Sequence, residues 1–499
     1  MRSEQLGHTS SLFETSHQLS AEMWTGLGGQ SNIVDRIAFV GEGELSSPFS
    51  VAGLAAASFA VCGAAVAELC SAAELPTPLT RVDRRQAAVW FDFPLAPSRP
   101  LGASGQHGIH SKWMAEFPTA DNRWLRVQAT YPTLRARMVT ALGCADDIDA
   151  IARAVAGLPG EIAEERLIAA GAAAALARSQ SEWLQHPAGR AVATEPLAAV
   201  VTTEQAPDRW QPTAERPLLG IRVLDLTRVV AGPMATRFLA ALGAEVLRID
   251  HPDGDEFLVW GVNDLGLGKR WATLDYKTDH GTRVLRKLIA SADVLITSHR
   301  ADALERIGLG AEERATLRPG LVDVAMNAYG WVGPWRNRRG FDTLVQYATG
   351  IAHSVSQWAN EDPVARLPLN ALGHLVDASR PRHLPVEALD FSTGYQVAAA
   401  AILGLARRVR EGSGSITRLS LARTAHMLAG TATPDGPIFA LPWASERLHP
   451  GVFDMNGRAV RRLTPPISME GIPLRWDRPA ERPGSSAPCW STDRTGDQS

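Results

Sequence analysis

Short apolar runs spaced by helix-length segments constrain this chain most. Ile221–Leu226 (IRVLDL) reads as a compact strand, Ala231-Gly232-Pro233 as a turn, and Met234–Leu242 as a helix. Pro233 opens that helix, where a missing N–H costs nothing. Gly243 ends it, and Glu245–Ile249 is the next strand. Helix Gly281–Ala290, strand Val294–Thr297, helix Arg300–Ile307 and strand Leu321–Met326 continue the alternation. Such alternation predicts βαβ units. The expected fold class is α/β: a large domain built on a Rossmann-like open parallel sheet with helices on both faces, plus a smaller α+β domain.

The first half reads differently. Leu45–Glu68 (LSSPFSVAGLAAASFAVCGAAVAE) is a poor copy of Leu384–Arg407 (LPVEALDFSTGYQVAAAAILGLAR). Each passes through Phe-Ser into an Ala-rich helix, then into a basic patch and a short apolar run. Asp121–Gln128 reads as a strand. Helical stretches are expected at Leu134–Leu142, Ile148–Ala156 and Glu161–Arg178, and Ser181–Gly189 closes the region. The expected division is 1–115, a degenerate copy of the later part of the large domain; 116–200, the small domain; 201–215, a linker; 216–477, the large domain; and 478–499, a disordered tail.

Composition narrows the classes. The chain has 499 residues, enough for two to four domains at about 150 residues each. Fifty basic against 53 acidic side chains give a formal charge of −3, which excludes the basic footprint of a nucleic-acid binder. Four scattered cysteines fit a reducing compartment, and no apolar leader follows Arg2, so the expectation is a cytoplasmic chain. Val51–Leu69 approaches membrane-spanning length, but its Ala, Ser and Gly content predicts a buried helix and no membrane partner. The sequence has no G-x-x-x-x-G-K-S/T, no G-x-S-x-G, no H-E-x-x-H, and no G-x-G-x-x-G after the first strand of the alternation. No metal site is expected.

Arg216–Asp250 (RPLLGIRVLDLTRVVAGPMATRFLAALGAEVLRID) strongly resembles the opening of the family III CoA-transferases, which include the α-methylacyl-CoA racemases. The likeness continues through Lys269–Thr278, Ala292–Gly308, Leu321–Gly333, Arg339–Gly350 and LPVEALDFSTGYQ. Asp121–Gln128 and the E-W-x-x-H-P element resemble the family's small domain, which here precedes the large one, so the chain looks partly duplicated or permuted.

The resemblance implies that Asp390 attacks an acyl-CoA thioester. A carboxylate has a reference pKa of about 3.9, so the expectation is a nucleophile already ionised at neutral pH. Asp390 is expected just ahead of a helix spanning Thr393–Arg408. Pro48 falls opposite it in the first copy when the Phe-Ser pairs are aligned, which leaves one nucleophile per chain. The resemblance further implies that Val230 and Ala231 contact the thioester region through their backbone. It implies that Lys277 and Arg306 approach the nucleotide phosphates, and that Arg339 lies near the phosphates or pantetheine. Ser298 and His299 replace the Asn-Phe or Asn-Tyr that the family often carries on the adenine side. His251 replaces a position that is often basic.

Phe341 stands where the racemases resemble G-H-D. A phenyl ring cannot titrate, which disfavours racemisation, since that needs protonatable groups on both faces of the carbon. The expected activity is transfer of CoA from an acyl-CoA to a carboxylic acid, with coenzyme A as substrate and no permanently bound cofactor. The resemblance implies a homodimer. The alternatives are a racemase or isomerase of the same superfamily and a catalytically inactive CoA-binding protein.

Overall fold

The computed structural model describes residues 2–29, 32–92, 98–100, 112–206, 210–252, 254, 264–361, 380–434, 437–438, 448–455 and 458–491. Its elements begin with α1 (Arg2–Gly26), β1 (Ala38–Val40), α2 (Val51–Ala72), β2 (Thr80–Asp83), α3 (Arg84–Trp90) and β3 (Ser98–Pro100). A small unit follows: β4 (Met114–Pro118), β5 (Trp124–Gln128), α4 (Pro132–Leu142), α5 (Ile148–Ala156), α6 (Gly160–Ala169), β6 (Ala174–Leu176), α7 (Gln180–Gln185) and α8 (Pro187–Thr194). Then come β7 (Ala199–Gln205), β8 (Arg222–Leu226), α9 (Ala231–Ala241), β9 (Glu245–Asp250), β10 (Lys269–Thr273), α10 (Asp279–Ala290), β11 (Val294–Thr297), α11 (Ala311–Leu317) and β12 (Val322–Asn327). The last are α12 (Asp342–Thr349), α13 (Ile351–Glu361), α14 (Ala388–Glu411), β13 (Ser413–Ser420), α15 (Leu421–Ala429), β14 (Phe453–Met455), β15 (Arg458–Arg462) and β16 (Ile467–Met469).

The central sheet has seven strands in the order β10-β9-β8-β11-β12-β13-β7, parallel except for β7. Alternation along each strand sends side chains to two separate cores. Val223, Val246, Val294, Val322 and Val324 join α2, α9 and α14 on one face. Leu224, Leu247, Ile249 and Leu295 meet Leu285, Leu288 and Ile289 of α10 on the other. Both faces are thus covered, as a parallel sheet requires. The chain reverses direction across the sheet between β8 and β11, and ligands of open α/β sheets bind at such a switch point.

The two Ala-rich helices, α2 and α14, pack against each other at the centre of the larger core. Ser58 Oγ donates to Ser392 Oγ at 2.9 Å, and Phe59 lies 4.2 Å from the Tyr395 ring. α2 is long and apolar enough to cross a membrane, but its apolar stretch is wholly buried inside the protein. The surroundings of the two helices follow the same local order. β1 pairs parallel with β2, and β12 with β13. Asp83 caps α3 by accepting from Gln86 N–H at 2.9 Å, and Ser420 caps α15 by accepting from Arg423 N–H at 3.2 Å.

Several boundaries differ from the sequence reading. The stretch 201–215 begins inside β7, which pairs antiparallel with β13 and ends the sheet. The helical stretch expected to reach Arg178 stops near Gly171, whose φ of +74° breaks it, and Ala174–Leu176 then pairs with β5. Arg300–Ile307 is turns ending in a 3-10 helix at Glu305–Ile307. The expected disordered tail is packed through residue 491. Trp490 is buried in the core on the α10 face, and Ser486 N–H donates to the Trp271 carbonyl at 2.9 Å. Residues 492–499 lie outside the described set.

Candidate active site

The helix bearing Asp390 starts earlier than its sequence shows. α14 begins at Ala388, so Asp390 stands in the first turn rather than ahead of it. Asp342, the first residue of α12, accepts hydrogen bonds from the N–H groups of Leu389 and Asp390 at 2.8 Å each. Two carboxyl groups therefore share one helix N-terminus. Gln346 donates to Asp342 one turn along α12 and receives the Leu384 N–H at 2.7 Å, fixing the entry to α14.

Burial dominates the electrostatics here. It pushes Asp342 up to about 6 against the pull of its hydrogen bonds. Burial and the Asp342 charge together hold Asp390 well above the usual carboxylate range. Glu387 is raised by burial and by Asp342, Asp92 and Asp390, and burial lifts Asp92 to about 7. Asp390 therefore stands above the ordinary carboxylate value of about 3.9. A helix N-terminus favours an anion by about 0.3–1 kcal/mol, too little to offset desolvation among like charges.

One turn beyond Asp390, α14 crosses the start of α9. A Cβ on Gly394 would lie 2.3 Å from the Ala231 carbonyl oxygen, so only glycine permits this approach. The contact sets Val230 and Ala231 one helical turn from Asp390. The loop that carries them is held firmly. Asp225 accepts from Thr227 N–H at 2.9 Å and from Lys269 Nζ at 3.0 Å, and Lys269 also donates to the Pro233 carbonyl at 2.8 Å. Val229 has φ +65°, strained for a β-branched residue and adjacent to the expected contact.

Ser298 and His299 follow β11 across the switch point. Ser298 Oγ accepts from Arg228 N–H at 2.9 Å, tying the two strand-end loops together. The half-buried His299 ring lies 3.2 Å from the Tyr276 hydroxyl, and desolvation and nearby arginines push its pKa down to about 4, which favours the neutral ring. Arg339 donates to the Gly171 carbonyl at 3.1 Å, and Arg137 to the same oxygen at 3.2 Å. Burial and the positive charges of Arg300, Arg137 and Arg228 bring Arg339 down to about 10. Arg137 and Arg339 thus meet at the Gly171 carbonyl with the charges of Arg228 and Arg300 near enough to act on Arg339, four guanidinium groups from four segments in an arrangement suited to a polyanion.

Sequence reasoning named only Arg339 of these four. Its usable signal was Arg228 and Arg300, each placed just after a strand of the switch point; Arg137, on α4 of the small unit, had none. Lys277 is exposed beside Tyr276, on the edge occupied by His299. Arg306 is exposed and paired with Asp302, outside the four-arginine group. His251 meets Asp275 at 3.0 Å. Phe341 is stacked on Tyr131 at 5.6 Å. Among the described residues no group of three or more His, Cys, Asp or Glu is disposed to hold a metal ion.

Residues 218–441 match the model of CoA-transferase family III. The succinyl-CoA:glutarate CoA-transferase of Mus musculus is 32% identical over 210 residues, which are 40% of this chain and 44% of that protein. The succinate–glutarate CoA-transferase of Agrobacterium fabrum is 34% identical over 157 residues, 28% of this chain and 39% of that protein. The acetyl-coenzyme A transferase nodX of Hypoxylon pulicicidum is 33% identical, over 41% of this chain and 34% of that protein. The chain thus spans less than half the length of these relatives. A crystal structure of a hypothetical protein (Rv3272) of Mycobacterium tuberculosis is 27% identical, over 43% of this chain and 58% of that one, with a TM-score of 0.35. The stretch similar to CoA-transferase family III, residues 218–441, takes in Asp390 and the switch-point loops.

Proposed function

We propose that this protein transfers CoA from an acyl-CoA thioester to a carboxylic acid, with Asp390 as nucleophile. The observation that carries the reading is the placement of Asp390 one turn from the α9 start, where Gly394 leaves no room for a side chain. Ionised Asp390 attacks the thioester carbonyl, forming an acyl-aspartyl anhydride and releasing CoA thiolate. The thiolate then attacks the aspartyl carbonyl, expelling the acyl group as a free carboxylate and leaving an aspartyl-CoA thioester. The acceptor carboxylate attacks that thioester, and the returning thiolate takes the acceptor acyl group and frees Asp390. No net proton is consumed. Arg137, Arg228, Arg300 and Arg339 neutralise the CoA phosphates, so the small unit takes part in binding.

The relatives' printed activities, between succinate and glutarate among others, support a small carboxylate as one partner. Exchange of labelled free acid into thioester tests the reading, and Asp390→Ala is expected to abolish it. Full exchange by that variant overturns the assignment. The raised carboxyls around Asp390 favour one second reading, proton transfer at the α-carbon, for which they would supply acid and base. Deuterium uptake at that carbon without acid exchange would select it. Thioester binding with neither reaction would select a CoA-binding protein. We further propose a cytoplasmic homodimer, which sedimentation of the full chain tests.

A further inference from the structure

The first turn of α14 draws its hydrogen bonds partly from another helix. The first N–H groups of a helix have no partner within it. Ala388 N–H donates to the Val386 carbonyl at 2.8 Å, and Phe391 N–H to the Glu387 carbonyl at 3.1 Å. The two between them, on the buried Leu389 and Asp390, both donate to one oxygen of Asp342 at 2.8 Å. The other Asp342 oxygen accepts from Gln346, whose own carbonyl oxygen accepts from Leu384 N–H at 2.7 Å. Asp342 is carried in turn by a segment tied to the small unit on both sides of it. Before it, Arg338 Nη2 donates to Glu164 Oε1 and to the Ala174 carbonyl, each at 2.7 Å. Phe341 stacks on Tyr131 with ring planes 14° apart. After it, Arg178 N–H donates to the Tyr347 carbonyl at 3.1 Å. Arg338, Glu164 and Tyr131 are all buried, so these ties do not compete with water.

We propose that residues 338–347 form a strap through which the small unit fixes the backbone of Asp390, with Asp342 as the positioning residue. The strap stands on its hydrogen bonds alone, and its effect on catalysis rests on the transfer reading. A reacting group displaced by about 1 Å can lose roughly 100-fold in rate. A cap on the N–H of the nucleophile itself is therefore felt in the chemical step more than in substrate binding. Both α14 N–H groups use the same Asp342 oxygen. Asp342→Asn keeps one oxygen for them, and Asp342→Ala keeps none.

Hydrogen exchange of the full chain, read by mass spectrometry on a peptide covering 388–391, reports the cap without any turnover. Asp342→Ala should speed exchange there roughly tenfold or more, and Asp342→Asn should stay near the wild-type rate. Arg338→Met and Tyr131→Leu each cut one tie without touching Asp342, and each should speed the same peptide by roughly threefold or more. The Ala52 amide, held by Glu44 at the start of α2, should keep its wild-type rate in all four. Unchanged exchange at 388–391 in the tie variants overturns the strap, and so does an equal rise at both helix starts; either tie variant that folds is sufficient for the test. The catalytic role is read separately. Asp342→Ala should lower kcat for acid exchange by roughly 100-fold with KM near wild type, and Asp342→Asn should recover most of it. An unmoved kcat in Asp342→Ala overturns the positioning role. A wild-type protein that exchanges no acid while the hydrogen-exchange shifts appear overturns the transfer reading and leaves the strap standing.

Discussion

The N-termini of α2 and α14 are built alike and end differently. Each receives a carboxylate from a preceding segment. Glu44 accepts from the Ala52 N–H and from Ser50 Oγ, and Asp342 accepts from the Leu389 and Asp390 N–H groups. At α2 the carboxylate is balanced by Arg84 at 3.4 Å, both side chains being buried. At α14 no ion pair to Asp342 or Asp390 stands among the described residues, and the Asp390 carboxyl lies beside Asp342 instead. One end is a closed ion pair suited to holding structure. The other keeps uncompensated carboxyl groups beside a tight helix crossing, the condition in which a carboxyl group carries perturbed chemistry.

Four substitutions break or sharpen this contrast. Asp390→Asn should lower transfer by roughly 10³-fold or more, since a nucleophile is lost rather than weakened, while thermal unfolding should change little. At the other end, Arg84→Met strands Glu44 as a buried uncompensated charge. It should cost about 3–5 kcal/mol in denaturant unfolding and leave the pH dependence of transfer in place. Gly394→Ala drives a Cβ into the Ala231 backbone, which cannot yield as a side chain would. It should cost about 1–3 kcal/mol and slow transfer more than it raises KM.

The smallest effect concerns pH. Asp342 and Asp92 are raised in the folded protein to about 6 and about 7, above their unfolded values near 4. The folded state therefore binds more protons between those limits, and stability from these groups falls as pH rises from about 4 to about 7. Asp92→Asn should flatten that decline in urea midpoints taken across the range. Glu164 runs the opposite way. Arg338 and Arg178 overcome its burial and hold it at about 2, so its contribution is present above the unfolded value and lost as pH falls toward 2.

Much of the sheet was legible because β8, β9 and β12 are short, largely apolar runs with Gly or Pro close by, and β11 is a compact apolar run. β7 was not, because an edge strand reading AVVTTEQ satisfies its outer side with water and carries polar residues. The packed tail was hidden by its Pro, Arg and Ser content, although Trp490 was a signal of burial. Asp390 was legible through its motif, but its protonation was not. That depends on burial and on Asp342, distant in sequence and joined to α14 through the Leu389 and Asp390 N–H groups. The Ser298–His299 departure is resolved locally: Ser298 braces the Arg228 loop and the neutral His299 ring meets Tyr276.

Mass spectrometry after brief incubation with short-chain acyl-CoAs and quenching with hydroxylamine tests the central claim most directly. A covalent mark on the peptide containing Asp390, absent from the peptides of the α2 N-terminus and lost in Asp390→Asn, is the predicted result. Turnover with the mark on a different side chain, or persisting in that variant, would contradict it.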